Sequence, residues 1–333
     1  MLWRRVRRGR RAVRRGTLPV LFVLVAILSG AGAAAGQEAA AVMAPLAPQS
    51  LLLDAARAGG RIVAVGERGH ILLSSDSGGS WRQVAAPTQA TLTAVHFLDD
   101  RLGWAVGHDA VILRSGDGGE GWERVHSDPE TGTPLFDVHF TDADQGFAIG
   151  AYGLFLETAD GGRSWKARAI GGSDAHLHHV ARSPDGRLYI VGEWGRLLRS
   201  DDGGAHWTEL VSPYEGSLFG SFVLGAGQEL LLYGLRGHAF RSEDGGRSWH
   251  GVATGTDVML TDACRLADGR IIVSGLGGVL LSSADGGRTF TVHAQPDRRG
   301  ISAVVAAPDG GVVLVGEFGV RKLPPGALAE TSR

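Results

Sequence analysis

Cysteine is almost missing from this chain: Cys264 stands alone among 333 residues. An internal disulfide is therefore excluded, and stability must come from packing even in an oxidising compartment. Methionine and tyrosine are scarce, at three and four, and charged residues reach only 20%, below the usual quarter. Basic residues are unevenly spread. Eight arginines fall within the first 36 residues, which carry no acid, leaving 25 basic against 35 acidic residues beyond Gly36 and a net charge there of −10. That balance excludes a generally basic surface for nucleic acid. Glycine, by contrast, is abundant at 52 residues, about twice its usual share, which fits many short strands joined by tight turns.

The leader reads as a separate unit. "MLWRRVRRGRRAVRRG" is basic, "TLPVLFVLVAILS" is apolar, and "GAGAAAG" ends the run in small residues near Ala35–Gly36. That order is the one of a secretory signal peptide. The firmly apolar part, Leu18 to Leu28, is short against the ~20 residues of a membrane span. No cysteine stands at its end, so a lipoprotein anchor is not expected. The expectation is an exported, periplasmic protein with a signal peptide at 1–36.

One octet recurs six times: "SSDSGGSW" (74–81), "SGDGGEGW" (115–122), "TADGGRSW" (158–165), "SDDGGAHW" (200–207), "SEDGGRSW" (242–249) and "SADGGRTF" (283–290). Its acids, Asp76, Asp117, Asp160, Asp202, Asp244 and Asp285, are spaced by 41, 43, 42, 42 and 41. A glycine pair precedes each box: "GERG" (66–69), the degenerate "GHDA" (107–110), "GAYG" (150–153), "GEWG" (192–195), "GLRG" (234–237) and "GLGG" (275–278). A seventh pair, "GEFG" (316–319), has no box after it. Seven units result, the last cut short.

Each unit reads as four strands, and the second is nearly all apolar, as in "RIVAVG", "LYIVG" and "VVLVG". A strand apolar on both faces must be covered on both. Four short strands per period of about 42 residues is the pattern of a propeller blade, where neighbouring blades supply that cover. The expected fold is all-β, a seven-bladed β-propeller of four-stranded blades over 37–323, with a tail at 324–333. Unit seven meets Pro324–Pro325 before a fourth strand, while "VMAP" (42–45) matches "VAAP" (84–87), the outer strand of unit one, at an offset of 42. Residues near Ala39 to Pro45 are thus expected to pair as the outer strand of the last blade and close the ring.

The boxes read as architecture rather than as six active sites. Hydroxyl and carboxylate two residues apart can clamp the turn between the third and fourth strands, and the glycines supply positive φ. The closing ring, Trp81, Trp122, Trp165, Trp207, Trp249 or Phe290, is an apolar plug between blades. The boxes resemble the Asp-box repeats first recognised in bacterial neuraminidases, a motif that implies fold and not activity. The fuller unit, clearest in "GEWGRLLRSDDGGAHW" (192–207), is similar to the seven-bladed photosystem II stability and assembly factors of cyanobacteria and plastids, over residues 38 to 323. That resemblance implies an exported, non-catalytic scaffold that binds a membrane-protein client and assists assembly or stability of a membrane complex. Relatives of this type also occur in bacteria without photosynthesis, some encoded near large exporters, where an accessory role to the exporter is implied.

Enzyme chemistry finds little support. The arginine–isoleucine–proline signature of sialidases is absent; Tyr189 and Tyr233 lie in second strands, and Tyr152 and Tyr214 in loops without a partner set. His176, His178 and His179 in "DAHLHH" lack the three or four ligands and outer shell of a zinc site and read as residues at a strand start on one face of the ring. The boxes lack the alternating oxygens of a calcium loop. Cys264 reads as a core thiol, and the "DGG" loops precede no helix that could cradle phosphate. No metal or cofactor is expected. Two alternatives to the scaffold stay open: a glycan-acting hydrolase of sialidase-like fold, and a carbohydrate- or peptide-binding module.

In a propeller the turns after the second strands share one face and the boxes the other. The turn tips gather Arg68, Tyr152, Trp194, Arg236 and Phe318, with Glu67, Glu193 and Glu317 beside them. The link "SPYEGSLFGSF" (212–222) adds Tyr214 and Phe219. Exposed aromatics and arginines on loops of a rigid ring are typical binding residues. Each ring has two readings, a contact for a partner or packing onto a neighbouring loop.

Overall fold

The second strands are buried from end to end, for example Leu188–Gly192 and Val312–Gly316, and this dictates the architecture. Each can be buried only if a blade lies against both of its faces. A computed structural model describes residues 39–225 and 227–328; the leader at 1–36 lies outside them. Six antiparallel sheets of four strands and one of three follow one another in chain order, each strand beside the next. Blade one runs Leu52–Ala58, Arg61–Gly66, Ile71–Ser74 and Arg82–Val84. Blade seven runs Ile301–Ala306, Val312–Gly316 and Gly319–Leu323. The structure is the seven-bladed propeller that the repeat predicts.

Seven apolar clusters fill the seams between blades. The seam of blades two and three, for instance, joins Val106 and Ile112 to Val138 and Ala148, and that of blades seven and one joins Val313 and Val315 to Ile62 and Leu72. Every box ring sits in the seam with the preceding blade: Trp81 against blade seven, Trp122 against blade one, Trp165 against blade two, and so on to Phe290 against blade five. The plug reading is therefore correct, although the rings are half-buried rather than fully enclosed.

The hydroxyl–aspartate clamp of the box repeats in all six blades. In blade three Thr158 Oγ1 donates to Asp160 Oδ1 at 2.8 Å and accepts the Gly162 N–H at 3.0 Å; Ser164 donates through its N–H to Oδ1 at 2.9 Å and its hydroxyl to Oδ2 at 2.6 Å. Trp165 Nε1–H then reaches the Gly162 carbonyl at 3.0 Å. Donors on both oxygens, the Ser164 hydroxyl first, hold the Asp160 carboxyl down to about 2.

The last blade closes differently from the sequence expectation. Among the described residues its sheet has three strands, and Ala39–Pro45 forms no ladder with Gly319–Leu323. The segment instead follows blade one: Ala41 N–H donates to the Ala86 carbonyl at 2.9 Å, and Gln83 bridges the Ala44 N–H and the Val42 carbonyl at 2.7 and 2.9 Å. Pro45 and Pro48 remove two amide donors from this stretch, which a regular ladder would need. A short 3-10 turn, Ala47–Gln49, lies between, with Ala47 buried among Val313, Val315 and Leu72. At the other seam of blade seven, where no box supplies a ring, Leu328 is buried among Leu266, Ile272 and Leu314. A residue of the tail thus does the work of a box tryptophan.

Candidate functional site

The turn after each second strand has an unusual backbone. In blades one to six it is a 3-10 turn whose middle residue is left-handed: Arg68, Asp109, Tyr152, Trp194, Arg236 and Gly277, all with φ between +54° and +64°. The following glycine is left-handed too, and a Cβ on Gly195 would lie 2.1 Å from the Tyr214 carbonyl oxygen. Degenerate "GHDA" tolerates Ala110 there at φ +48°. Left-handed backbone costs a non-glycine residue about 1–2 kcal/mol, most for bulky side chains. Tyr152 and Trp194 accept it while 70% and 67% exposed. No burial offsets that strain, which is a pattern of functional positions.

Around these two tips the inner strands supply further rings. Every first strand carries a bulge one residue after its start, and bulges re-aim side chains. In blades three, four and five the bulged residues are Phe136, His178 and Phe219. His178 stacks on Phe219 at 4.8 Å, with its Nδ1 2.9 Å from the Leu218 carbonyl. Phe136 lies 5.9 Å from His178 and 5.8 Å from His176, which meets Tyr152 edge-on at 5.0 Å. An aromatic ridge therefore runs from the blade-three tip to blade five. Glu193, beside Trp194, anchors it by accepting the His176 N–H at 3.4 Å.

Below the ridge is an axial channel of about 570 Å³, lined by the first strands of all seven blades. One turn of residues beneath the bulges bears Asp54, Asp137, His179 and Asp262. Each carboxylate reaches the next blade: Asp54 accepts the Val95 N–H at 2.8 Å, Asp137 that of Val180 at 2.7 Å, and Asp262 that of Val304 at 2.8 Å. Desolvation, then the charge of Asp262, pushes Asp54 well above the usual carboxylate range. Desolvation raises Asp137, and raises Asp262 to about 6. Deeper still, His96 and His139 face each other at 4.8 Å. Burial lowers His96 to about 4, and burial with the neighbouring His96 lowers His139 well below the ordinary value.

The structure sorts the residues expected from the sequence. Tyr152 and Trp194 stand exposed on adjacent tips. Arg68 and Arg236 are exposed too, but Arg68 lies on blade one in a recess with Val42 and Leu46 of the leading segment, apart from the ridge. Tyr214 packs onto His238 at 4.5 Å, inside the seam of blades four and five. Phe318 is a correction: it is buried in the seam of blades six and seven, under the Arg321 guanidinium at 4.3 Å. The reason is local. Gly316 pairs directly with Gly319, so this hairpin turns in two residues and Gly319, not Phe318, takes the positive φ of +83°. Cys264 packs against the apolar cluster of the seam of blades six and seven and also lines the channel, its thiol pushed up by burial and by Asp262. The channel acids were missed, although Leu-x-Asp recurs in phase as "LLD" (52–54), "LFD" (135–137) and "LTD" (260–262). Among the described residues no three His, Cys, Asp or Glu side chains converge to hold a metal ion.

The profile of the family described as photosynthesis system II assembly factor YCF48 matches residues 73–133 and 126–320. The chain belongs to that family. Among solved structures, the chain is similar to "YCF48 bound to D1 peptide" at 19% identity and TM-score 0.69, covering 86% of this chain and 95% of that one. YCF48 from Cyanidioschyzon merolae is similar at 20% identity and TM-score 0.68, covering 86% and 99%. A streptogramin B lyase has TM-score 0.69 at 14% identity, covering 83% and 94%. At these identities the likeness to the structures shows the propeller alone; membership of the YCF48 family rests on the profile. No curated protein sequence matches the chain.

Proposed function

We propose that this protein is a non-catalytic, exported assembly factor that holds a segment of a membrane-protein client on its tip face. One observation carries the reading: Tyr152 and Trp194 are held exposed on strained backbone beside an aromatic ridge at the channel mouth. Large rings on a rigid frame bury much area at little entropic cost, as binding hot spots do. A YCF48 structure with a bound D1 peptide supports a peptide as the form in which the client is met. The box carboxylates support a structural role on the other face, since Asp76, Asp160 and Asp202 are each saturated by turn donors and held to about 2. Such groups are spent as acids or bases at neutral pH.

Site-specific photo-crosslinking in native membranes tests this. A crosslinking side chain at position 152 or 194 is expected to capture a membrane-protein segment, and one at Arg247, on the box face, is not. Trp194→Ala with Tyr152→Ala should reduce capture by the unlabelled protein at least about tenfold, the equivalent of ~1.4 kcal/mol, at an unchanged melting temperature. Equal crosslinking from both faces would overturn the assignment.

A further inference from the structure

The axial channel holds groups that neither the tips nor the boxes use, among them three carboxylates and two histidines. Asp54, Asp137 and Asp262 present carboxylates at one level. One level deeper, burial lowers His96 to about 4, which keeps its ring neutral near pH 7. His96 Nε2 is buried without a partner, on a ring that carries one lone pair when neutral. His139 Nε2 is likewise buried and unpartnered. A buried polar atom left unmatched is destabilising. This arrangement calls for a donor.

A metal ion would answer to that description, but the acceptors lie too far apart: among the described residues no three converge on one point. The match is a donor that spreads its N–H groups over several ångströms. Guanidinium does so with five, and an ammonium with three. The arginines at the far end do not compete for the acids: Arg57 donates to the Gly59 carbonyl and Arg265 to that of Val223. Phe136 and Phe219 at the mouth offer ring faces for a passing cation.

We propose that the axial channel is a binding site for a cationic side chain, arginine or lysine, carried by an extended peptide that enters between Phe136 and Phe219. The peptide rests on the client-binding reading above; the charge preference rests on the channel alone. The cation exchanges hydrogen bonds with water for charge-assisted bonds to the carboxylates, and it relieves their mutual repulsion. Specificity follows from the same groups, because an acidic side chain would add to the repulsion among three desolvated aspartates, of which Asp262 is ionised above about 6.

Two capped tripeptides decide the matter: phenylalanine–arginine–phenylalanine and the isosteric peptide with neutral citrulline in place of arginine. Calorimetric titration near pH 7.5 should show the arginine peptide binding at least about tenfold more tightly. The groups facing Asp262 are His179, Asp137 and Asp54 across the channel, with Tyr233 and Cys264 beside it. Acidification through about 6 protonates Asp262, so the preference should narrow. Asp262→Asn should narrow it at every pH; if that variant fails to fold, the pH series on the unaltered protein decides. Equal affinity for the two peptides, or a preference that survives acidification, would overturn the proposal. So would stoichiometric zinc binding that His96→Phe abolishes. Loss of client capture without loss of the arginine preference would reject the tip face and leave the channel standing; the reverse would reject the channel alone.

Discussion

At one end of blade three Asp160 accepts bonds from Thr158 and Ser164, and Trp165 plugs the seam toward blade two. At the other end of the same blade Tyr152 projects into solvent from a left-handed turn. The first arrangement recurs in six blades with a hydroxyl, an aspartate two residues on and a closing aromatic ring in each. The second recurs only as backbone, because the residue at the tip is arginine, aspartate, tyrosine, tryptophan, arginine or glycine. Where the repeat fixes side chains it is holding the ring together. Where it fixes backbone and lets the side chain vary, it is presenting something.

That contrast can be broken most directly on the box face. Trp165→Ala removes a ring that packs edge-on against Phe140 at 5.9 Å and donates to Gly162. The expected loss is about 3 kcal/mol in a denaturant titration. An unchanged midpoint would mean that the boxes are ornament rather than fastening. Next is the seam without a box. Leu328 fills it from the tail, so Leu328→Ala should cost about 2 kcal/mol; a neutral outcome would separate the tail from the ring. The smallest effect has the opposite sign. Trp194→Gly relieves the left-handed strain but gains freedom in the unfolded chain, so stability should rise by about 0.5 kcal/mol while crosslinking at the tip face is lost. A fall in stability would show that the indole packs rather than presents.

Most of the fold could be read from the sequence, because two independent markers, glycine pairs and boxes, keep one beat. The second strand of blade one reads as "RIVAVG" and is observed as Arg61–Gly66. The site was half legible. Trp194 and Tyr152 follow from the tip rule alone. Phe318 did not follow, since "GEFG" looks like its six relatives while its hairpin turns in two residues. The acids at 54, 137 and 262 were hidden for another reason. They sit in half-apolar strands where an isolated polar residue looks like ordinary alternation, and only the bulge turns them toward the axis.

The closing seam has a consequence for how such a ring is made. Ala47 and Leu52 share an apolar cluster with Val313 and Val315, so the arch needs its two most distant stones to stand. A chain synthesised from its leading end would form a crescent whose first blade shows a bare greasy flank until the final hairpin arrives. Joining segments so remote is slow, and the crescent is the species most open to aggregation. Quality control of this molecule is thus a contest over one unfinished joint.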